Sequence, residues 1–119
     1  MSSQSEVGFK PIRLVTVAAG DRHAATARIR DAFNESGAWI TDVHFFSGVQ
    51  TAFAFEVAVE RLDALVGALA ARGMTVDAAG AASIREAIAE ASGDLGGTLV
   101  VMFVDGDPDL AHDVPAIPG

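Results

Sequence analysis

Residues 51–60 read Thr51-Ala-Phe-Ala-Phe-Glu-Val-Ala-Val-Glu60, and the alternation in this stretch decides the fold. From position 53 to 59, phenylalanine and valine occupy the odd positions, whereas alanine and glutamate occupy the even ones. Because successive side chains of a strand point to opposite faces of a sheet, the pattern predicts a strand with one face in the core. The preceding run from Trp39 to Phe46 predicts its hairpin partner, with a turn at Ser47-Gly48.

Apolar side chains recur at helical spacing on either side of this hairpin. The first helix is predicted to begin after Asp21, whose carboxylate can cap it, and to end at Gly37. A second helix is predicted over residues 62–72, just before a glycine. A third is predicted to open at Ser83, because Ser83 and Glu86 have the spacing of a capping box.

The remaining segments have the composition of strands and connectors. Residues 12–18 carry apolar side chains at both odd and even positions, which predicts a central strand covered on two faces. Residues 98–104 form the most apolar run of the chain and predict an inner strand. Residues 74–77 are a weaker strand candidate, and the small residues 78–82 after them predict a connector.

The predicted elements follow one another in the order βαββαβ, with an extra helix and strand near the C-terminus. This is the order of the split βαβ or ferredoxin-like arrangement. We therefore predict an α+β fold, a ferredoxin-like sandwich in which an antiparallel sheet carries helices on one face. The domain is predicted to span residues 11–104, between a flexible lead-in at 1–10 and an acidic, proline-containing tail at 105–119.

Composition excludes several classes of function. Acidic residues outnumber Lys and Arg by 16 to 8, and such a surface repels nucleic acid and anionic lipid, so we expect neither partner. No apolar run reaches the ~18 residues of a membrane span, and the N-terminus lacks the features of a signal peptide. The chain has no cysteine. We expect a cytoplasmic protein, with no cofactor and no metal.

Two helices on one face leave the other face of the predicted sheet open, and that face is expected to be unusually apolar. Large apolar patches mark interfaces or ligand grooves, so we predict a homodimer that hides part of this face or extends the sheet edge. Cover from the tail or the third helix of the same chain is the rival explanation. The predicted exposed-face or interface residues are Ile40, Asp42, His44, Phe46, Ala52 and Ala54.

The turn after the first strand and the segment after the first helix resemble the ACT family of small regulatory domains. The turn reads Ala19-Gly-Asp-Arg-His-Ala24, in which Asp21-Arg22 matches the family's pattern, and the later segment reads Ser36-Gly-Ala-Trp-Ile-Thr-Asp-Val43. The resemblance covers roughly residues 12–77. It implies a domain that pairs through its sheet and binds a small molecule at the subunit interface.

The same element order also resembles the dimeric α+β barrel proteins, which include small cofactor-free oxygenases. This resemblance rests on topology alone. It implies a pocket at the sheet in which His44, Asp42 and Trp39 take part.

The loop before the first helix carries the best candidate for ligand binding. Its residues are Gly20, Asp21, Arg22 and His23. Free N–H groups and the dipole at a helix N-terminus favour an anion. The alternative is an ordinary solvated first turn, because Asp21 already serves as the cap.

Two other groups of polar residues are candidates for chemistry. Asp42 and His44 lie two apart on one strand and share a face. They are either an acid/base pair or ligand contact on the exposed face, or polar residues at a solvated or interfacial position. The run Asp105-Gly-Asp-Pro-Asp109 begins like a calcium loop, but the glycine and glutamate that complete an EF-hand are missing. No catalytic residue and no metal ligand is assigned.

The sequence therefore predicts a non-catalytic, dimeric domain of ACT-like type that binds a small ligand or regulates another protein. A cofactor-free α+β barrel enzyme is the first alternative, and a pure protein-interaction module is the second.

Overall fold

A computed structural model describes residues 11–47 and 49–104 of the chain. These residues form four strands and three helices, and a single 3₁₀ turn, Val59–Arg61, precedes the second helix. The elements in chain order are β1 Ile12–Ala19, α1 Arg22–Ser36, β2 Trp39–Ser47, β3 Gln50–Ala58, α2 Leu62–Ala71, α3 Ala78–Glu90 and β4 Asp94–Val104. The lead-in 1–10, the tail 105–119 and the calcium-like run 105–109 lie outside the described residues.

The four strands form one sheet in the order β1-β4-β3-β2. β4 pairs with β1 in parallel and with β3 antiparallel, and β3 pairs antiparallel with β2. The α+β class and the inner position of the last strand are confirmed. The predicted antiparallel sheet is instead mixed, and the predicted central strand 12–18 is an edge strand.

All three helices pack against one face of the sheet. Their buried side chains join alternate residues of the strands in a single cluster, with Phe33 of α1 packed edge-on against Phe55 of β3 at 5.3 Å between ring centroids. Leu14 and Leu99 pair across the β1–β4 ladder within this cluster. Burial of these apolar side chains is the main source of stability. The prediction of helices on one face is confirmed.

The segment between α2 and α3 differs from the prediction. Residues 74–77 are not a strand, although they run beside β1, where the Thr16 hydroxyl donates to the Thr75 carbonyl at 2.8 Å. Residues 78–82, predicted as a connector, are the first turns of α3. Their alanines favour helix, and the Asp77 side chain caps the helix by accepting the Gly80 N–H at 3.2 Å. The helix therefore begins five residues before Ser83.

Candidate functional site

Helix α1 fixes the position of the predicted ligand loop. The Asp21 carboxylate accepts the Ala24 N–H at 3.0 Å and caps the helix, as predicted. Gly20, at φ 92°, donates its N–H to the Val104 carbonyl at 3.1 Å and so ties the loop to the end of β4. At the other end Gly37 has φ 82°, a conformation that favours glycine. The start and end of α1 are therefore set locally by the sequence.

A groove lies between this helix and the β2–β3 hairpin. It has a volume of about 320 Å³. Its lining residues are Arg22, His23, Thr26, Ala27 and Arg30 of α1, Val43 and Phe45 of β2, and Phe53 of β3. Helical geometry explains the α1 wall, because residues four apart lie one above the other on one side of a helix. The groove thus has a polar helical wall and an apolar wall from the sheet.

The charge of the groove is opposite to that of the chain. Two arginines and one histidine line it, and none of its eight lining residues is acidic. The chain as a whole has a formal net charge of −8. Arg22 also lies over the Phe45 ring, with 5.9 Å between its guanidinium carbon and the ring centroid, a cation–π distance. Positive groups therefore border the apolar wall directly.

A second hollow continues along the same seam between α1 and β2. It has a volume of about 270 Å³ and is lined by Arg30, Phe33, Asn34, Trp39 and Ile40. Arg30 lines both hollows, so this residue lies where they meet along the seam. By contrast, Arg28 on the same helix donates to the Ala19 carbonyl at 3.1 Å and serves the packing of α1 on β1.

The predicted loop contributes only half of its residues to this groove. Arg22 and His23 line the groove, whereas Gly20 and Asp21 shape the loop beside it. Thr26 and Arg30 were not predicted as site residues, although positions 22, 26 and 30 share one side of a helix and this spacing is visible in the sequence. The apolar wall was not predictable, because no local pattern shows which strand will lie opposite which helix.

Asp42 and His44 are in contact on β2 and form an ion pair when His44 is protonated. The His44 Nε2 lies 3.0 Å from the Asp42 Oδ2. The His44 side chain is 62% exposed and the Asp42 side chain is 60% exposed. The other Asp42 oxygen accepts the N–H of Val43 at 2.9 Å. An ion pair this exposed contributes at most about 1 kcal/mol. Neither residue lines the groove or the second hollow.

The open face of the sheet departs from the prediction at one strand. An irregularity between Ile40 and Asp42 changes which side the strand residues face, and Ile40, paired with Phe55, packs against the core. Asp42 and His44 remain on the open face, opposite Ala54 and Ala52. Ile40 therefore lies on the core side of the sheet and not on the open face, because an extra residue shifts the parity of a strand. Its predicted place at a dimer interface stays a prediction.

The alanines of that face are less exposed than expected. Ala52 is only 5% exposed and Ala54 is half-buried, whereas Phe46 is 65% exposed. The third helix does not cover the open face, because Ile84 and Ala87 belong to the core cluster on the other side. The tail, the other proposed cover, lies outside the described residues.

The described residues hold no group of three or more His, Cys, Asp or Glu side chains placed to bind a metal ion. None of the three described helices has the length and apolar character needed to cross a bilayer.

Comparison with known proteins found no match of the chain to any family model, curated protein or solved structure.

Proposed function

We propose that this chain is a non-catalytic domain that binds a small carboxylate with an apolar body in the groove between α1 and β2. The observation that carries the proposal is the reversal of charge: an acidic chain places two arginines and a histidine, and no carboxylate, around this groove. The groove therefore offers positively charged side chains beside an apolar wall.

The chemistry of the lining defines the ligand class. Arginine guanidinium groups bind carboxylates through paired N–H donors. On the opposite wall Val43, Phe45 and Phe53 present aliphatic and aromatic surface. A ligand that satisfies both walls has an anionic end toward α1 and an apolar end toward the sheet.

The size of the groove limits the ligand further. Small-molecule pockets commonly have volumes of about 300–1,000 Å³, so 320 Å³ lies at the lower end of that range. An aromatic or branched-chain carboxylic acid without an ammonium group is of suitable size, because the lining has no carboxylate to pair with an ammonium. The second hollow beyond Arg30 allows a somewhat longer body.

A regulatory role of ACT-like type is part of the same proposal. The element order β-α-β-β-α, followed by a further helix and strand, supports a relationship to ferredoxin-like domains, although the parallel pairing of β1 with β4 departs from an all-antiparallel sheet. The domain would report the concentration of its ligand to a protein with which it associates. We expect it to be cytoplasmic. The exposed Asp42–His44 pair lines neither hollow, so no observation favours the barrel-enzyme alternative.

The test is a titration followed by amide chemical shifts. Phenylacetate and the uncharged benzyl alcohol would each be added to ¹⁵N-labelled protein, up to about 10 mM, which detects even millimolar dissociation constants. We expect phenylacetate to shift the amides of α1 between Arg22 and Arg30 and those of β2 near Phe45. Benzyl alcohol should bind more weakly because it cannot pair with a guanidinium group.

The matched variants are Arg30→Gln, at the middle of the seam, and Arg85→Gln, on α3 and outside both hollows. Both remove one positive charge from an exposed helix position. We expect the first to weaken phenylacetate binding by about tenfold, equivalent to ~1.4 kcal/mol, and the second to leave it unchanged. Equal binding by the two variants, or no localised shifts with any carboxylate tried, would overturn the proposal.

A further inference from the structure

The last strand of the sheet ends beside the start of helix α1. The Val104 carbonyl accepts the Gly20 N–H at 3.1 Å, and Val104 pairs with Ala19 in the β1–β4 ladder. Arg22 is the first residue of α1 and lines the groove. It follows Gly20 by two positions, which places its Cα at most about 7 Å from that of Gly20. The tail, residues 105–119, therefore begins next to the positively charged end of the groove.

The apolar wall of the groove reaches the same end of the sheet. Phe45 pairs with Thr51 of β3, and Thr51 pairs with Val101, three residues before the end of β4. Neighbouring strands lie about 4.8 Å apart, so the two steps from β4 to β2 cover about 10 Å. The residues that follow Val104 thus start within a few residues' length of both walls.

The composition of the tail complements the groove. The tail carries four of the chain's sixteen acidic residues, and it carries neither lysine nor arginine. It also carries the apolar residues Leu110, Val114 and Ile117. The groove has two arginines and a histidine on one wall and apolar side chains on the other. The tail therefore has the carboxylates and the apolar bodies that we propose for the ligand.

The spacing within the tail matches the two walls. In an extended chain the odd positions from 109 to 113 share one side, and the even positions from 110 to 114 share the other. The odd side carries Asp109 and Asp113, and the even side carries Leu110 and Val114 with His112 between them. Four extended residues span about 13 Å, close to the ~12 Å that α1 rises between its two groove arginines, eight positions apart.

The residues that join β4 to this stretch suit a reversal of direction. Helix α1 begins at the end of the sheet where β4 ends and leads back over the sheet, so a segment that follows the groove must turn after Val104. The intervening Asp105-Gly-Asp-Pro108 consists of residue types that favour turns.

The open face of the sheet complements the tail less well. Asp42 and Glu56 lie on that face, and their carboxylates repel an acidic segment. Arg13 is the one arginine in the four described strands. It lies near the start of β1, opposite Thr98, and so at the other end of the sheet from Val104. Charge therefore favours the groove over the open face.

We propose that residues 109–114 of this chain occupy the groove when no ligand is bound, with Asp109 and Asp113 toward Arg22 and Arg30. The regulatory consequence rests on the proposed function, because the tail then competes with the carboxylate ligand for the same guanidinium groups. The apparent affinity for the ligand is lowered by the fraction of molecules in which the tail fills the groove. Ligand binding in turn releases an acidic stretch that a partner protein can bind.

Disulfide trapping locates the tail without any ligand. Thr26 is midway between the two groove arginines, and Ala111 is midway between Asp109 and Asp113, so the proposal places these two side chains opposite each other. The chain has no cysteine, so a monomer of Thr26→Cys/Ala111→Cys can form a single disulfide. Ala54→Cys/Ala111→Cys is the matched control, because Ala54 is half-buried like Thr26 but lies on the open face.

The two cysteine pairs are compared under mild oxidation at several protein concentrations. We expect Thr26→Cys/Ala111→Cys to close about tenfold faster than the control, because a disulfide requires Cα atoms within about 7 Å. The rate should not depend on protein concentration, which identifies an intramolecular bond. Equal closure of the two pairs, or faster closure of the control, would overturn the proposal.

Two charge variants of the full chain test the competition. Asp109→Asn/Asp113→Asn and Asp105→Asn/Asp107→Asn each remove two negative charges from the tail. We expect the first to bind phenylacetate about tenfold more tightly than the natural chain, and the second to bind it like the natural chain. An equal gain in both variants would show an effect of net charge alone and would overturn the proposal.

The two experiments separate this proposal from the proposed function. If phenylacetate bound none of these chains while Thr26→Cys/Ala111→Cys still closed selectively, the ligand proposal would fail and the docking of residues 109–114 would stand. If phenylacetate bound all of them equally while the two cysteine pairs closed at equal rates, the ligand groove would stand and the docking of the tail would fail.

Discussion

Asp77 and Val15 exchange two hydrogen bonds across 62 positions of the chain. The Val15 N–H donates to the Asp77 carboxylate at 2.9 Å, and the Asp77 N–H donates to the Val15 carbonyl at 3.0 Å. The second carboxylate oxygen caps α3 by accepting the Gly80 N–H. One side chain thus satisfies the sheet edge and starts a helix, although it lies outside any strand.

Replacing Asp77 by alanine should remove both functions at once. The loss of a helix cap costs about 1 kcal/mol, and the unpaired amide of Val15 costs about another 1 kcal/mol. We expect Asp77→Ala to lower the free energy of unfolding by about 2 kcal/mol in urea denaturation. Asp77→Asn keeps a capping oxygen, so it should lower the free energy of unfolding by less than Asp77→Ala does. If Asp77→Ala lowered the free energy of unfolding by only a few tenths of a kcal/mol, water would be replacing both hydrogen bonds of the carboxylate.

Gly97 of β4 should not tolerate a side chain. A Cβ at this position would lie 2.7 Å from the Phe55 ring and 2.8 Å from the Ile12 carbonyl oxygen. The carbonyl is backbone and cannot move aside. We expect Gly97→Ala to destabilise the fold by about 1–3 kcal/mol, the range of overpacking in a tight core.

Gly67 of α2 is the matched control for that substitution. No heavy atom lies within 4 Å of a Cβ built there. Alanine favours helix over glycine by about 1 kcal/mol, so Gly67→Ala should raise the midpoint of thermal unfolding. If both variants shifted the midpoint in the same direction, the steric account of Gly97 would be wrong.

Thr51 of β3 offers a stabilising substitution. It is 1% exposed, and within the described residues its hydroxyl is buried without a hydrogen-bond partner. Valine has nearly the same shape and no hydroxyl, so Thr51→Val should raise the free energy of unfolding by about 1 kcal/mol. Chemical denaturation would measure the change. A decrease of the same size in the free energy of unfolding would instead indicate that a water molecule or a ligand atom is bound to the hydroxyl.

The sequence predicted the elements of this fold better than their arrangement. The hairpin, the first two helices and the inner strand are all where local patterns place them, because period and caps are local properties. The position of β1 at an edge was not predictable in this way. Its apolar residues of both parities indicated a central strand, and its outer edge is in fact satisfied by Asp77, a residue distant in sequence.

Two local features were misread for identifiable reasons. The Ser83–Glu86 spacing fits a helix start, but the alanines before it extend α3 back to Ala78. The contacts of Gly80 explain why a glycine is placed in those turns: a Cβ there would lie 2.6 Å from the Asp77 carboxylate, 2.9 Å from the Leu14 side chain and 3.2 Å from the Arg13 carbonyl oxygen. The irregularity in β2 that turns Ile40 inward interrupts the two-residue alternation of the strand, so the sequence pattern does not show which face Ile40 lies on.

The candidate site was half predictable. Arg22 and His23 are recognisable because they follow a helix cap. Arg30 and the apolar wall required knowledge of which strand faces α1, which depends on pairing across the whole sheet.

The position of β4 has a consequence for how the chain is made. β4 follows every other strand in sequence, yet it lies between β1 and β3 and provides the sheet partner of both. A nascent chain that has not yet released residues 94–104 from the ribosome can form the β2–β3 hairpin, but it has no sheet partner for β1. The apolar faces of β1 and β3 must remain apart until that segment arrives. Folding of this domain is therefore expected to begin only after residues 94–104 have left the ribosome, and to depend on contacts between β1 and β4.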